Sequence, residues 1–229
     1  MFFIKEDMDI RISEVDSLLS LIESIESGNF ISQTNITMTT PVLRASVVLA
    51  LYNIIESTIT KLLTKIHEEI NKKRVNYNNL SPELRELTLI HFYKHKQKHS
   101  DIHASKDVLL ETVELIRGKG FFQLSYADMS ESYQLYSGNL DAKIIRKIMT
   151  KYGISIPEGV GQCLKAIKDG RNILAHGEVS FEEFGRTKVL RVIKEYFDDV
   201  KSFLNIILSI VTVYINEQKY KKTIKRKNK

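Results

Sequence analysis

A chain of 229 residues with one cysteine, Cys163, can form no internal disulfide and no multi-thiolate metal site. Its 43% apolar and 27% charged residues set disorder aside and give enough apolar side chain for a sizeable core. Lys and Arg exceed Asp and Glu by 34 to 28, a net +6 that favours acidic partners such as nucleic acid without demanding one.

The N-terminus, MFFIKEDMDIR, turns acidic after four apolar residues and lacks the apolar stretch of a secretion signal. The first predicted helix covers Ile4 to Ser27, with Met8, Ile12, Val15, Leu19, Ile22 and Ile25 on one face and Gly28-Asn29 as its stop. A polar loop follows. Pro41 is then expected to open a second long helix, tolerated in the first turn, that runs to Lys73. Leu43, Val47, Leu51, Ile54, Thr58, Leu62 and Ile66 form its apolar stripe.

Ser81 reads as the N-cap of the next helix, with Pro82 as its first residue. Asp107 to Arg117 predicts a short helix ended by Gly118. Residues 118–139 are rich in Gly, Ser, Tyr and Phe and read as a small irregular insertion with one hairpin. Leu140 to Tyr152 is helical again, and a further helix is expected from Pro157 to His176 with Val160, Leu164, Ile167 and Leu174 buried. After a turn, GEVSFEEFGR, the last helix spans Lys188 to Tyr220. The end, KYKKTIKRKNK, holds seven basic residues in eleven and reads as a disordered tail over residues 221–229. The longest apolar run, Phe203 to Ile215, is too short and too polar to span a bilayer. The expectation is one all-α, antiparallel helical bundle over residues 1–220, in the cytoplasm and away from membranes.

One segment departs from this plain pattern. Asp169 to Phe181, DGRNILAHGEVSF, places Arg171, Asn172 and His176 within six residues on a helix otherwise built on Leu and Ile. Asn172 and His176 are four apart, about 40° around the axis, and Arg171 lies at the edge between that face and the core stripe. These residue types suit RNA cleavage through the 2′-hydroxyl. A histidine titrates near neutral pH and can take or give the proton. An arginine offers a planar fork to phosphate oxygens, and an asparagine can orient the histidine or donate to the phosphate. Such a reaction needs no metal and no cofactor. A solvated helix end beside Gly177 would have the same composition.

The motif and its surroundings resemble the HEPN superfamily, in particular its stand-alone prokaryotic MAE-like branch. The resemblance rests on RNILAHGEVSFEEFGR, LRASVVLALYNIIEST and SGNLDAKIIRKIMTKYGI, and covers residues 5 to 215 apart from residues 91–105. It implies a HEPN-type bundle and an endoribonuclease with Arg171, Asn172 and His176 as catalytic residues. It further implies a toxin or anti-phage effector that works as a homodimer with a shared site, checked by an antitoxin or defence partner protein. The alternative is a non-catalytic HEPN module that binds nucleotide, RNA or a partner.

Glu56, in the apolar stripe of the second helix, is a candidate support for Arg171 or His176, or else a surface carboxylate. Lys168 and Arg186 are candidate contacts to RNA phosphate. His91, His95, His99 and His103 recur at four-residue steps, the spacing of zinc-binding helix pairs, but Lys94, Lys96 and Lys98 repel a cation there. A solvated basic face able to contact RNA phosphates is the preferred reading of that stretch. Phe181 is expected to fold the turn onto the core, and Cys163 to pack in a helix interface. No phosphate loop, dinucleotide fingerprint or nucleophile elbow occurs.

Overall fold

The computed structural model describes residues 1–28, 36–98, 102–118, 121–122, 124–132, 135–136 and 138–223. In chain order the helices are α1 (Phe2–Glu26), α2 (Ile36–Lys72), α3 (Pro82–Lys98), α4 (Ile102–Ile116), α5 (Tyr126–Ser132), α6 (Ala142–Thr150), α7 (Leu164–Ala175), α8 (Phe181–Arg186) and α9 (Leu190–Asn216), with a 3-10 turn at Tyr77–Asn79. Among the described residues there is no strand, only isolated bridges, so the fold is all-α. The chain divides into two compact units. One comprises 1–60, 138–143 and 157–208; the other 61–137, 144–156 and 209–229.

In the first unit, α1 buries the six residues of its three- and four-step apolar pattern, Met8 through Ile25. The stripe of α2 is wider than expected there, because Ala45, Val48, Tyr52, Ile55 and Ile59 are buried beside Val47, Leu51 and Ile54. Pro41 lies inside α2, five residues after its start at Ile36, rather than in its first turn. Leu164, Ile167 and Leu174 of α7 and Phe203, Leu204 and Ile207 of α9 complete the core.

The helix α7 begins at Leu164, seven residues later than the sequence suggested, for a tertiary reason. The Asp199 carboxylate of α9 accepts hydrogen bonds from the backbone N–H of Gly161 (3.1 Å) and Cys163 (2.7 Å), so turns replace the expected first helical turns. Burial and the Asp199 charge push the half-buried Cys163 thiol above its ordinary pKa. Helix α7 packs so closely that a Cβ on Gly170 would lie 2.7 Å from the Phe184 ring and 3.3 Å from Val48. The predicted turn after the motif contains α8, capped by Ser180, whose hydroxyl accepts from the Glu183 N–H at 3.1 Å. Phe184 supplies the buried ring there, while Phe181 is only half-buried.

In the second unit, Leu62, Ile66 and Ile70 continue the α2 core. Ser81 caps α3 by accepting from the Leu84 N–H at 3.4 Å. Residues 118–139 contain the helix α5 where a hairpin was expected. His91 is buried, not solvated, because α3 turns Leu84, Leu87, Thr88 and His91 to one inward face. The side chains of His95, His99 and His103 lie outside the described residues. His67 is 1% exposed, with Nδ1 2.8 Å from the Leu124 carbonyl and Nε2 2.9 Å from the Tyr152 hydroxyl. The carbonyl can only accept, so Nδ1 carries the proton and Nε2 accepts from Tyr152. Burial drives the His67 pKa down to about 4, the Leu124 bond opposing it and His91 adding to it.

The start of the basic tail is ordered. Tyr220 is buried, Lys221 bridges Leu80, and the Lys222 N–H donates to the Asn79 carbonyl at 2.9 Å. Residues 224–229 lie outside the described part. Among the described helices, Met38–Lys72 has the length and apolarity to cross a membrane, and half of that apolar window is buried in the protein.

Candidate functional site

The site candidates stand on the last two turns of α7 and on what the first unit packs beside them. Tyr52 of α2 is fully buried, and its hydroxyl is fixed at both ends. It donates to the Gly138 carbonyl and accepts from the Leu140 N–H at 3.2 Å, so α2 clamps the segment leading into α6. The Arg171 guanidinium lies over the face of this ring, 4.7 Å from its centroid. A cation over an aromatic face is attracted by the ring quadrupole, and Arg stacks well because its guanidinium is planar and weakly hydrated.

A chain of amides holds the other side of the arginine. Arg171 Nη1 donates to Asn172 Oδ1 at 3.0 Å, and Asn172 Nδ2 donates to Asn139 Oδ1 at 2.6 Å. Asn172 is therefore oriented by its partners, its oxygen toward Arg171 and its nitrogen toward Asn139. It positions the arginine rather than the histidine. The remaining Arg171 N–H groups make no hydrogen bond among the described residues, which leaves them able to address an anion.

His176 is the C-cap of α7 and is exposed. Its backbone N–H donates to the Asn172 carbonyl at 3.0 Å, and its ring makes no hydrogen bond among the described residues. The helix stops here through paired turn bonds, Glu178 N–H to Ile173 O (3.1 Å) and Gly177 N–H to Leu174 O (3.3 Å). This is the Schellman arrangement, and it needs the left-handed backbone that Gly177 adopts at φ +68°. Gly177 thus ends the helix one residue after His176 and leaves the imidazole at an open rim.

The other sequence candidates are placed differently. Glu56 is half-buried and forms no hydrogen bond or ion pair with Arg171 or His176 among the described residues. It stands near Gly138, where an added Cβ would lie 4.0 Å from Glu56 Oε1. Lys168 pairs with Asp169 (3.1 Å) and Asp141 (3.4 Å), and only 16% of its side chain is exposed. Burial works against its charge, and the two carboxylates outweigh it, so its pKa is raised. Its ammonium ties α7 to the 138–141 segment instead of facing solvent. Arg186 is bound by Glu182 of α8 at 2.6 Å and stays half exposed. Among the described residues no group of three His, Cys, Asp or Glu side chains is placed to hold a metal ion.

Sequence reasoning did not single out Tyr52, Asn139 or Asp141. All three lie inside the stretches LRASVVLALYNIIEST and SGNLDAKIIRKIMTKYGI that carried the resemblance, and a tyrosine amid aliphatic residues was the available signal.

Residues 3–220, which include Tyr52, Asn139, Arg171, Asn172 and His176, match the profile of the MAE_28990-like HEPN family. The chain belongs to this HEPN family. Its match runs through both compact units and includes the whole of α7. No curated protein and no solved structure matches the chain.

Proposed function

We propose that this HEPN protein is a metal-independent endoribonuclease that cleaves RNA by attack of the RNA's own 2′-hydroxyl. The observation that carries the reading is the contrast within α7. Arg171 is fixed between the Tyr52 ring and Asn172 with N–H groups to spare, while the His176 ring at the C-cap is exposed and makes no hydrogen bond among the described residues.

In this mechanism Arg171 binds the non-bridging oxygens of the scissile phosphate and stabilises the charge that grows on them. One His176 imidazole takes the 2′-OH proton, and the 2′-oxygen attacks phosphorus. The P–O5′ bond breaks, and a second His176, protonated, gives its proton to the departing 5′-oxygen. The products are a 2′,3′-cyclic phosphate and a free 5′-hydroxyl. One chain supplies one such histidine, so the reaction is assigned to a homodimer with a shared cleft. A cytoplasmic toxin or anti-phage effector, restrained by an antitoxin or defence partner, is the biological role that fits such an activity.

The direct test incubates purified protein with total RNA in EDTA and examines the fragment ends. Cyclic-phosphate ends, with a loss of at least about 10²-fold for folded His176→Ala, are expected. Equal cleavage by that variant would remove the mechanism. RNA binding with no cleavage would select the non-catalytic module instead.

A further inference from the structure

The second compact unit gathers a cluster of cations that the proposed chemistry does not use. Lys73 and Arg74 follow the end of α2, and Lys221 and Lys222 come from the chain after α9. With Asn76 and Asn79 they line one cleft of about 330 Å³. The two runs that line this cleft are at least 142 positions apart in sequence, from Asn79 to Lys221, so it is the fold that unites them.

Specific bonds hold the two runs together. Tyr220 is buried and its carbonyl accepts from the Ser81 N–H at 2.8 Å, while the Lys222 N–H donates to the Asn79 carbonyl at 2.9 Å. The carbonyl end of α2 accounts for basic residues at 73 and 74. It does not account for two more lysines brought in from another segment. None of the four cations forms an ion pair with a carboxylate among the described residues. Glu69, one turn back on α2, is paired with Lys65 at 3.0 Å, and the Lys73 charge adds only a smaller attraction to the same carboxylate.

Arg74 adopts a left-handed backbone, φ +46°, which costs free energy that glycine would avoid. Its guanidinium lies 4.7 Å from the centroid of the Phe121 ring, which is 39% exposed. Four cations, two amides and a partly exposed aromatic face form the combination that tracks a nucleic-acid strand, with cations on phosphates and a ring available for a base.

We infer that the Lys73–Arg74–Lys221–Lys222 cleft binds the phosphodiester backbone of a single-stranded nucleic acid. It does so at a site separate from Arg171 and His176 and independently of whether those residues cleave RNA.

The test measures fluorescence anisotropy of a labelled 2′-O-methyl RNA oligonucleotide with the full chain. That probe has no 2′-hydroxyl to attack, so binding is read without turnover. Lys73→Glu/Lys222→Glu reverses two exposed charges, and Lys106→Glu/Lys147→Glu makes the same net change elsewhere on the surface. The cleft variant, with its thermal midpoint checked, should weaken binding at least about tenfold at moderate salt. It should also flatten the dependence of log K on log salt by about one unit, as loss of one to two phosphate contacts requires. The control should stay within about twofold, the loss expected of diffuse charge alone at moderate ionic strength. Binding by the cleft variant equal to wild type, or an equal loss in the control, would overturn the inference. Tighter binding to phosphatidylserine vesicles than to the oligonucleotide would overturn it in favour of a lipid surface. Full displacement of the oligonucleotide by millimolar inorganic phosphate would likewise overturn it in favour of a small-anion site.

Discussion

The guanidinium of Arg171 rests 4.7 Å from the centre of the Tyr52 ring, while the Tyr52 hydroxyl bonds both the Gly138 carbonyl and the Leu140 N–H. One buried side chain therefore shapes both the arginine's seat and the segment that carries Asn139. The two duties use different parts of the tyrosine and can be separated by mutation.

Tyr52→Phe keeps the ring and removes both hydrogen bonds, leaving the half-buried Gly138 carbonyl and the buried Leu140 N–H without this partner. Stability should fall by about 1–3 kcal/mol, with RNA cleavage retained below the new midpoint. Tyr52→Leu also removes the face under Arg171 and should lower cleavage further at equal folded fraction. Thermal midpoints and single-turnover rates measured together decide this. Identical rates for the two variants would mean the ring is not the arginine's seat.

Arg171→Lys tests the fork. A lysine keeps the charge but cannot stack as a plane over Tyr52 while donating to Asn172 and to phosphate. Cleavage should fall at least about 10²-fold, nearly as far as in Arg171→Ala, as when a transition-state donor is removed. A lysine variant with near-normal single-turnover rates would reduce Arg171 to a diffuse positive charge.

The separation between what was legible and what was not follows contact range. The six-residue face of α1 and the Arg171–Asn172–His176 spacing are local and could be read directly. The partners of Arg171 and Asn172 are Tyr52, 119 positions away, and Asn139, 33 positions from Asn172, and no local pattern announces either. The start of α7 was misread because Asp199 decides it from α9. The helix α8 was legible in principle, since Ser180 and Glu183 have capping-box spacing, but the stretch GEVSFEEFGR reads as a turn because its helix is only six residues long. The α2 stripe was drawn too narrow because periodicity seeks one apolar face, whereas α2 buries residues on several sides.

His67 makes the stability of this protein depend on pH. Its pKa is about 4 when folded, against about 6.5 in an unfolded chain. Between those values the unfolded state binds the extra proton, so stability is fully present above about pH 6.5 and is lost as pH falls toward 4. The effect of one such buried group is on the order of 3 kcal/mol. Urea midpoints across this window should decline more steeply for wild type than for His67→Gln. Parallel curves would mean that His67 is not the titrating group.

The proposed shared cleft makes a prediction about mixed assemblies. If each scissile phosphate needs one His176 as base and one as acid, a dimer carrying a single imidazole lacks one of the two proton transfers. Each transfer contributes about 10²-fold or more, so a heterodimer of wild-type and His176→Ala chains should be nearly inactive. Titrating the variant into wild type, with subunit exchange confirmed by two affinity tags, should then reduce activity as the square of the wild-type fraction. Independent sites would instead lose activity in direct proportion to that fraction. A linear decline, or a monomer in sedimentation that cleaves at the full rate, would leave each chain as a complete catalyst. The exposed His176 would then have to serve as both base and acid in turn, with solvent returning the proton between the two steps.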